Sequence, residues 1–232
     1  MPPRSWGGGR IRSAETGWDF LLKKADSMMR MVGVTSLILL LIVCGFENVA
    51  GAADGTATVK AVLDKAMAIQ TRPDLKGEEH VKERSRLIRE LISESFWAEE
   101  MARASLKETW DKLSAAHRTE FQKLFTGLFQ DSYTRMVLNF LQQETVEYLQ
   151  ESPEGAGVKV TTTILRANEH IPVDYHLTRK SSRWLITDVD IDGVSIVENY
   201  RSSFRRVIQT SSFDNLLQKL RLQSQAVQEE RG

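Results

Sequence analysis

Asp188, Asp190 and Asp192 stand at alternate positions in the stretch RWLITDVDIDGVSIVENYRSSF, residues 183–204. Three carboxylates on one face of a strand are hard oxygen donors of the kind that hold calcium or magnesium. One of them, or Asp174, turned inward and desolvated, would also be a candidate general acid. Two features argue against both chemistries. Trp184 and Ile186 share the parity of the three aspartates, so a regular strand here has no clean polar side. The run also ends at Gly193, where aspartate is common because its side chain bonds nearby backbone N–H groups. The aspartates are therefore read as a strand end and a corner.

Little other chemistry is in view. His80, His117, His170 and His176 are scattered, and none is paired with a base or a nucleophile. His80 and His117 fall in polar surroundings on helices, and His170 falls in a turn. His176 alternates with Tyr175 and Leu177, so it should face away from the apolar side. Alternation also places Asp174 outward. The phosphate-loop, dinucleotide, zinc-protease and serine-elbow motifs GxxxxGK[ST], GxGxxG, HExxH and GxSxG do not occur. No catalytic residue and no metal ligand is assigned, and the chain is not read as an enzyme.

The formal net charge of zero, without a long basic run, argues against nucleic acid. Cys44 is the only cysteine, so a disulfide framework is excluded. Residues 32–46, VGVTSLILLLIVCGF, form an apolar run preceded by Lys23, Lys24 and Arg30 and followed by Ala50-Gly51-Ala52. A basic flank, a short apolar core and an A-x-A site describe a signal peptide. A bilayer span needs about 20 apolar residues, more than this run supplies. Leu41 to Gly45 also resembles a lipobox, with Val43 where a small residue is usual. Cleavage is expected after Ala52, making residues 1–52 an export segment and residues 53–232 a single domain. Residues 1–27 are expected to come from a misplaced start, with Met28, Met29 and Met31 as alternatives. Removal of residues 1–52 leaves 25 basic and 27 acidic residues, still nearly neutral.

The elements that must position any site follow from hydrophobic period. Helical spacing covers residues 58–71, 78–95 and 96–106. It is strongest over residues 115–141, where Phe121, Phe125, Phe129 and Tyr133 recur every fourth position and Ser114 offers an N-cap. A short strand is predicted at 145–150, then a turn at Ser152-Pro153-Glu154-Gly155-Ala156-Gly157. Alternation marks strands around Val158–Ile164, Ile171–Leu177 and 183–191. After Gly193, Ser195-Ile196-Val197-Glu198 reads as a capping box opening a helix, with a last helix over 213–227. Four strands flanked by helices predict an α+β fold, a curved antiparallel sheet with its apolar face covered by helices.

WLITDVDIDGVSIVENYRSSFRRVI resembles the C-terminal signature of the toluene-tolerance family, the Mla-pathway (MlaC-like) periplasmic phospholipid-binding proteins. Trp184, Asp188-Val189, Gly193-Val194-Ser195, Asn199-Tyr200-Arg201 and Phe204 carry the likeness. Upstream, Trp110, Leu113-Ser114, Arg118-Thr119-Glu120-Phe121, Phe125 and Tyr133 continue it, over residues 58–222. Ser105-Leu106-Lys107 departs from relatives that carry a glycine there.

The resemblance implies an NTF2-like fold with a deep apolar cavity between sheet and helices. It implies a carrier in the periplasm, exported by its N-terminal segment. The carrier would move phospholipid between an outer-membrane lipoprotein complex and an inner-membrane ABC transporter, in support of outer-membrane lipid asymmetry. The lipid would be cargo, with no cofactor. A related branch accompanies hopanoid biosynthesis, so another lipid is an alternative. A lipid-free periplasmic adaptor is a second, its apolar stripes being ordinary core. The lipid-binding wall is expected from Phe96, Trp97, Met101, Phe125, Phe129, Tyr133, Val160, Ile164, Val173, Tyr175, Trp184, Tyr200 and Phe204. Arg201 is a candidate phosphate contact.

Overall fold

The computed structural model describes residues 53–166 and 169–231. The export segment read at residues 1–52 lies outside them. Helices come first: α1 (Ala53–Thr71), α2 (Val81–Ser95), α3 (Ala98–Leu106), the single turn α4 (Glu108–Asp111) and α5 (Ala115–Phe140). Strands follow: β1 (Thr145–Glu154), β2 (Gly157–Arg166), β3 (Glu169–Lys180), β4 (Arg183–Ile191) and β5 (Val194–Ser195). Helices α6 (Ile196–Thr210) and α7 (Phe213–Arg231) close the chain. Among the described residues no helix is long and apolar enough to cross a membrane.

The helices form where apolar residues recur at helical spacing. In α2 the buried residues are Ile88, Leu91, Ile92 and Ser95, one stripe at i, i+3, i+4 and i+7. In α5 Phe121, Phe125, Phe129, Tyr133 and Val137 are buried at every fourth position. Ser114 caps α5 as expected, its side chain accepting from the His117 N–H at 3.2 Å. The other end of α5 is closed from outside. The Gln70 amide of α1 donates to the carbonyls of Val137, Leu138 and Leu141 at 3.0–3.1 Å, groups a helix end leaves without partners.

The sheet is an antiparallel meander in the order β1-β2-β3-β4-β5. It has five strands, not four: the turn at Asp192-Gly193 returns the chain so that Val194 pairs with Ile191 and Ser195 with Asp190. Asp192 and Gly193 both have positive φ, 51° and 74°, which a reversal this tight requires. β1 is also longer than predicted. It runs through Ser152-Pro153-Glu154, and only Gly155 and Ala156 make the turn, because Glu154 pairs with Gly157. Proline is tolerated there because β1 is an edge strand with no ladder to feed on its free side. His170, expected in a turn, lies in β3 opposite Leu165.

One sheet face is buried and the other is not. Val158, Val160 and Thr162 of β2, Val173, Tyr175 and Leu177 of β3, and Ile186 and Val189 of β4 are all buried. Helix α1 lies close on this face, since a Cβ at Gly55 would come within 2.6 Å of Val158 Cγ2. Two bulges keep the pattern in phase. Register shifts between Tyr148 and Gln150, leaving Leu149 as the extra residue of β1, 60% exposed. It shifts again opposite His176/Leu177, leaving Thr187 as the extra residue of β4.

Candidate functional site

The Thr187 bulge resolves the puzzle of the three aspartates. Leu177 pairs with Ile186 and His176 with Asp188, so Ile186 and Val189 both face the core while Asp188 and Asp190 take the other face. Asp188 then works as a cap. It accepts from the N–H groups of Val189 and Val197 at 2.8 and 3.1 Å and from the Ser195 hydroxyl at 2.5 Å. Burial pushes the Asp188 carboxyl up, against those hydrogen bonds. Ser195 in turn accepts from the Glu198 N–H at 2.9 Å, the first half of the expected capping box. The second half is not made, because the Glu198 side chain pairs with Arg201 instead.

Asp190 lies 3.3 Å from His176 Nε2, and Glu154 lies 2.5 Å from Nδ1. Burial works against a charge on His176. The hydrogen bond and charge of Glu154, aided by Asp190 and Asp188, outweigh it and hold the imidazole above its usual value. Among the described residues no group of three or more His, Cys, Asp or Glu could hold a metal ion. The Asp188 carboxylate is engaged in capping the corner. Arg201 is likewise engaged, its Nε donating to the Ala104 carbonyl at the end of α3 at 3.1 Å.

The apolar candidates lie on facing layers. On α5 the four-residue spacing stacks Phe121, Phe125, Phe129 and Tyr133 in a column, with centroids 6.0, 6.3 and 5.5 Å apart along it. Helix α6 adds Tyr200, 5.0 Å from Phe125, and Phe204, 6.2 Å from Phe125. Phe96 closes the other flank, 5.2 Å from Phe129 and 4.9 Å from Tyr133. These residues are all buried, as are Met101 at 0% exposure and Val160, Val173 and Tyr175 on the sheet. Ile164, Trp97 and Trp184 are half-buried.

The segment between α2 and α3 is drawn onto the sheet by the backbone. Phe96 forms a parallel bridge with Ile186, and the Trp97 N–H donates to the Ile186 carbonyl at 2.8 Å. That contact sets Phe96 between β4 and α5.

Burial tells on the tyrosines of these layers. Burial pushes the Tyr133 hydroxyl well above its ordinary value and does the same to Tyr175, which Tyr133 and Tyr148 push further. Tyr148 on β1 is raised to about 12, by burial and then by Asp64. Phe121 also belongs to the column. It is fully buried and meets Phe204 edge-on at 5.5 Å and Phe213 of α7 at 6.0 Å. Its place in the i, i+4 series was the available signal.

The MlaC protein family matches residues 60–222. No curated protein matches the chain significantly. Among solved structures, the chain is similar to a phospholipid-binding protein from Ralstonia solanacearum, solved in complex with a phospholipid. Identity is 23%, the TM-score is 0.64, and the match covers 75% of this chain and 98% of that one. An identity this low speaks to the fold alone, and the α+β arrangement is shared. The family match spans the column, the sheet and the Asp188 corner together, and the chain belongs to the MlaC family.

Proposed function

We propose that the protein is a phospholipid carrier of the periplasm, exported by residues 1–52, with an NTF2-like lipid cavity between sheet and helices. In this reading it moves lipid between the outer-membrane and inner-membrane complexes of an Mla-type transport system. The observation that carries it is the aromatic column of α5, flanked by Phe96, Tyr200 and Phe204 and facing the buried sheet positions Val160, Val173 and Tyr175. The column's position in a chain of the MlaC family supports acyl chains, rather than core packing alone, as its purpose. The thirteen apolar candidates are the proposed wall, with Ile164, Trp97 and Trp184 toward its rim. The family and the cap role of Asp188 favour binding and transfer over catalysis.

The energetics favour a carrier that works by hand-over. Two acyl chains carry on the order of 30 methylenes, each worth about 0.8 kcal/mol when buried. A gross term above roughly 20 kcal/mol is near the ceiling of observed affinities, so release into water is very slow. Transfer between two apolar environments is close to neutral, which is why docking partners are needed at both ends.

The test is native mass spectrometry of the exported protein, purified without detergent. We expect a mass increment of one phospholipid, lost on denaturation and identified by fragmentation. A bare mass with no uptake from liposomes sinks the carrier and favours the adaptor. A different lipid at the same stoichiometry keeps the carrier and changes its cargo.

A further inference from the structure

The β3–β4 hairpin ends in Arg179-Lys180-Ser181-Ser182-Arg183, and all five residues are exposed. Lys180 and Arg183 close the ladder, and Ser181 turns the chain with φ of 58°. The tip brings three cations together with two tryptophans. The Arg179 guanidinium lies 4.9 Å from the Trp184 ring centroid, and Lys180 Nζ lies 4.9 Å from that of Trp97. Both indoles are half-buried. Arg183 donates to the Glu94 carbonyl at 2.9 Å, which ties the tip to the end of α2. Lys180 also lies 3.9 Å from Glu99, a pair of two exposed side chains that water screens well.

We infer that this tip is a docking surface for a bilayer carrying anionic phospholipid. Cations and indoles stacked in this order suit the boundary of a membrane. Lys and Arg meet phosphates at the surface, and the half-buried rings of Trp97 and Trp184 back them with apolar surface at headgroup level. An acidic protein surface would use the cations equally well but has no need of the two indoles. The placement also suits transfer. Trp97 follows Phe96 directly, and the Phe96 ring rests on Phe129 and Tyr133. Trp97, beneath Lys180, is thus next in the chain to the ring that flanks the aromatic column, and a membrane docked at the tip faces the rim of the proposed lipid site.

The test is co-sedimentation of the exported protein with phosphatidylcholine vesicles, with and without phosphatidylglycerol, at low and high salt. We expect partition that requires phosphatidylglycerol and weakens with salt as exposed charges are screened. Replacing the three cations (R179Q/K180Q/R183Q) should reduce it on the order of a hundredfold, roughly fivefold per cation. R179K/R183K, which keeps the charge, should retain it. R205Q/R206Q, on exposed arginines of α6, should change it little. Unchanged partition in the triple variant overturns the inference, and so does an equal loss in R205Q/R206Q. Binding to a polyglutamate peptide without binding to vesicles overturns it in favour of an acidic protein partner. The readout does not involve cargo. A protein that carries no lipid would still partition, so this test and the mass measurement fail independently.

Discussion

Asp188 does at the residue scale what the spacing of three aspartates left open. Its carboxylate gives two backbone N–H groups and the Ser195 hydroxyl their acceptor at the start of α6. Removing that acceptor strands donors that are partly out of water, a loss worth about 1–3 kcal/mol. Asp188→Ala should destabilise the fold by that amount at neutral pH. Asp188→Asn should be far milder, since its carbonyl can keep both N–H bonds and its amide can donate to Ser195. The pH dependence follows from burial. A folded pKa raised above the unfolded value gives stability that is present in full below about 3.9 and lost as pH rises through the folded pKa. Urea unfolding at acid and neutral pH should therefore show Asp188→Asn gaining on the wild type as pH rises. A constant difference between the two would show that Asp188 titrates alike in both states.

At the scale of elements, the β2–β3 hairpin is held by how closely its strands approach. Gly157 pairs with Thr178, and a Cβ there would lie 2.0 Å from the Leu177 carbonyl oxygen. A backbone atom inside the ladder cannot step aside, so Gly157→Ala should cost about 3 kcal/mol or disrupt the hairpin. Gly193 is the useful contrast. A Cβ there would meet nothing within 4 Å, but its φ is 74°. Gly193→Ala should cost only the backbone term, about 1 kcal/mol. Chemical denaturation of the two variants side by side separates steric from conformational cost, and equal losses would contradict the close approach at Gly157. The helix layer has its own fastener. Arg89 of α2 pairs with the buried Asp131 of α5, a contact between two helices that no single periodicity announces.

At the scale of the whole molecule, the proposed cargo has to part faces that touch. The rings of α5, α6 and Phe96 lie in mutual contact, and α1 sits against β2 at Gly55 and Val158. Loading should therefore require the helix layer and the sheet to separate. A tether tests this. Gly55→Cys with Val158→Cys, in a Cys44→Ser background, puts the two new side chains in direct contact across the layers. We expect the oxidised protein to stay folded and take up fluorescent phospholipid much more slowly than the reduced one. Equal uptake rates in the two states would mean that loading proceeds without movement of α1 on the sheet.

Much of this was legible from the chain alone. The order of helices and strands, the Ser114 and Ser195 caps and the four-residue column of α5 are local properties, set by neighbours within a turn or a strand pair. The family signature is local too, running from Trp184 to Phe204. What the sequence could not show depends on residues far apart in the chain. The bulges at Leu149 and Thr187 exist only in relation to the partner strand, so period-2 counting left Asp188 sharing the parity of Trp184 and Ile186. The Leu149 bulge also puts Glu151 level with Val160, where its carboxylate takes the Thr56 N–H at 2.7 Å from 95 residues away. Arg201, the candidate phosphate contact, reaches the Ala104 carbonyl 97 residues away. The tryptophan-backed tip needs Trp97 and Lys180 to meet across 83 residues of chain. Side-chain period depends on near neighbours, whereas cross-strand register and long-range partners are decided only when the layers pack.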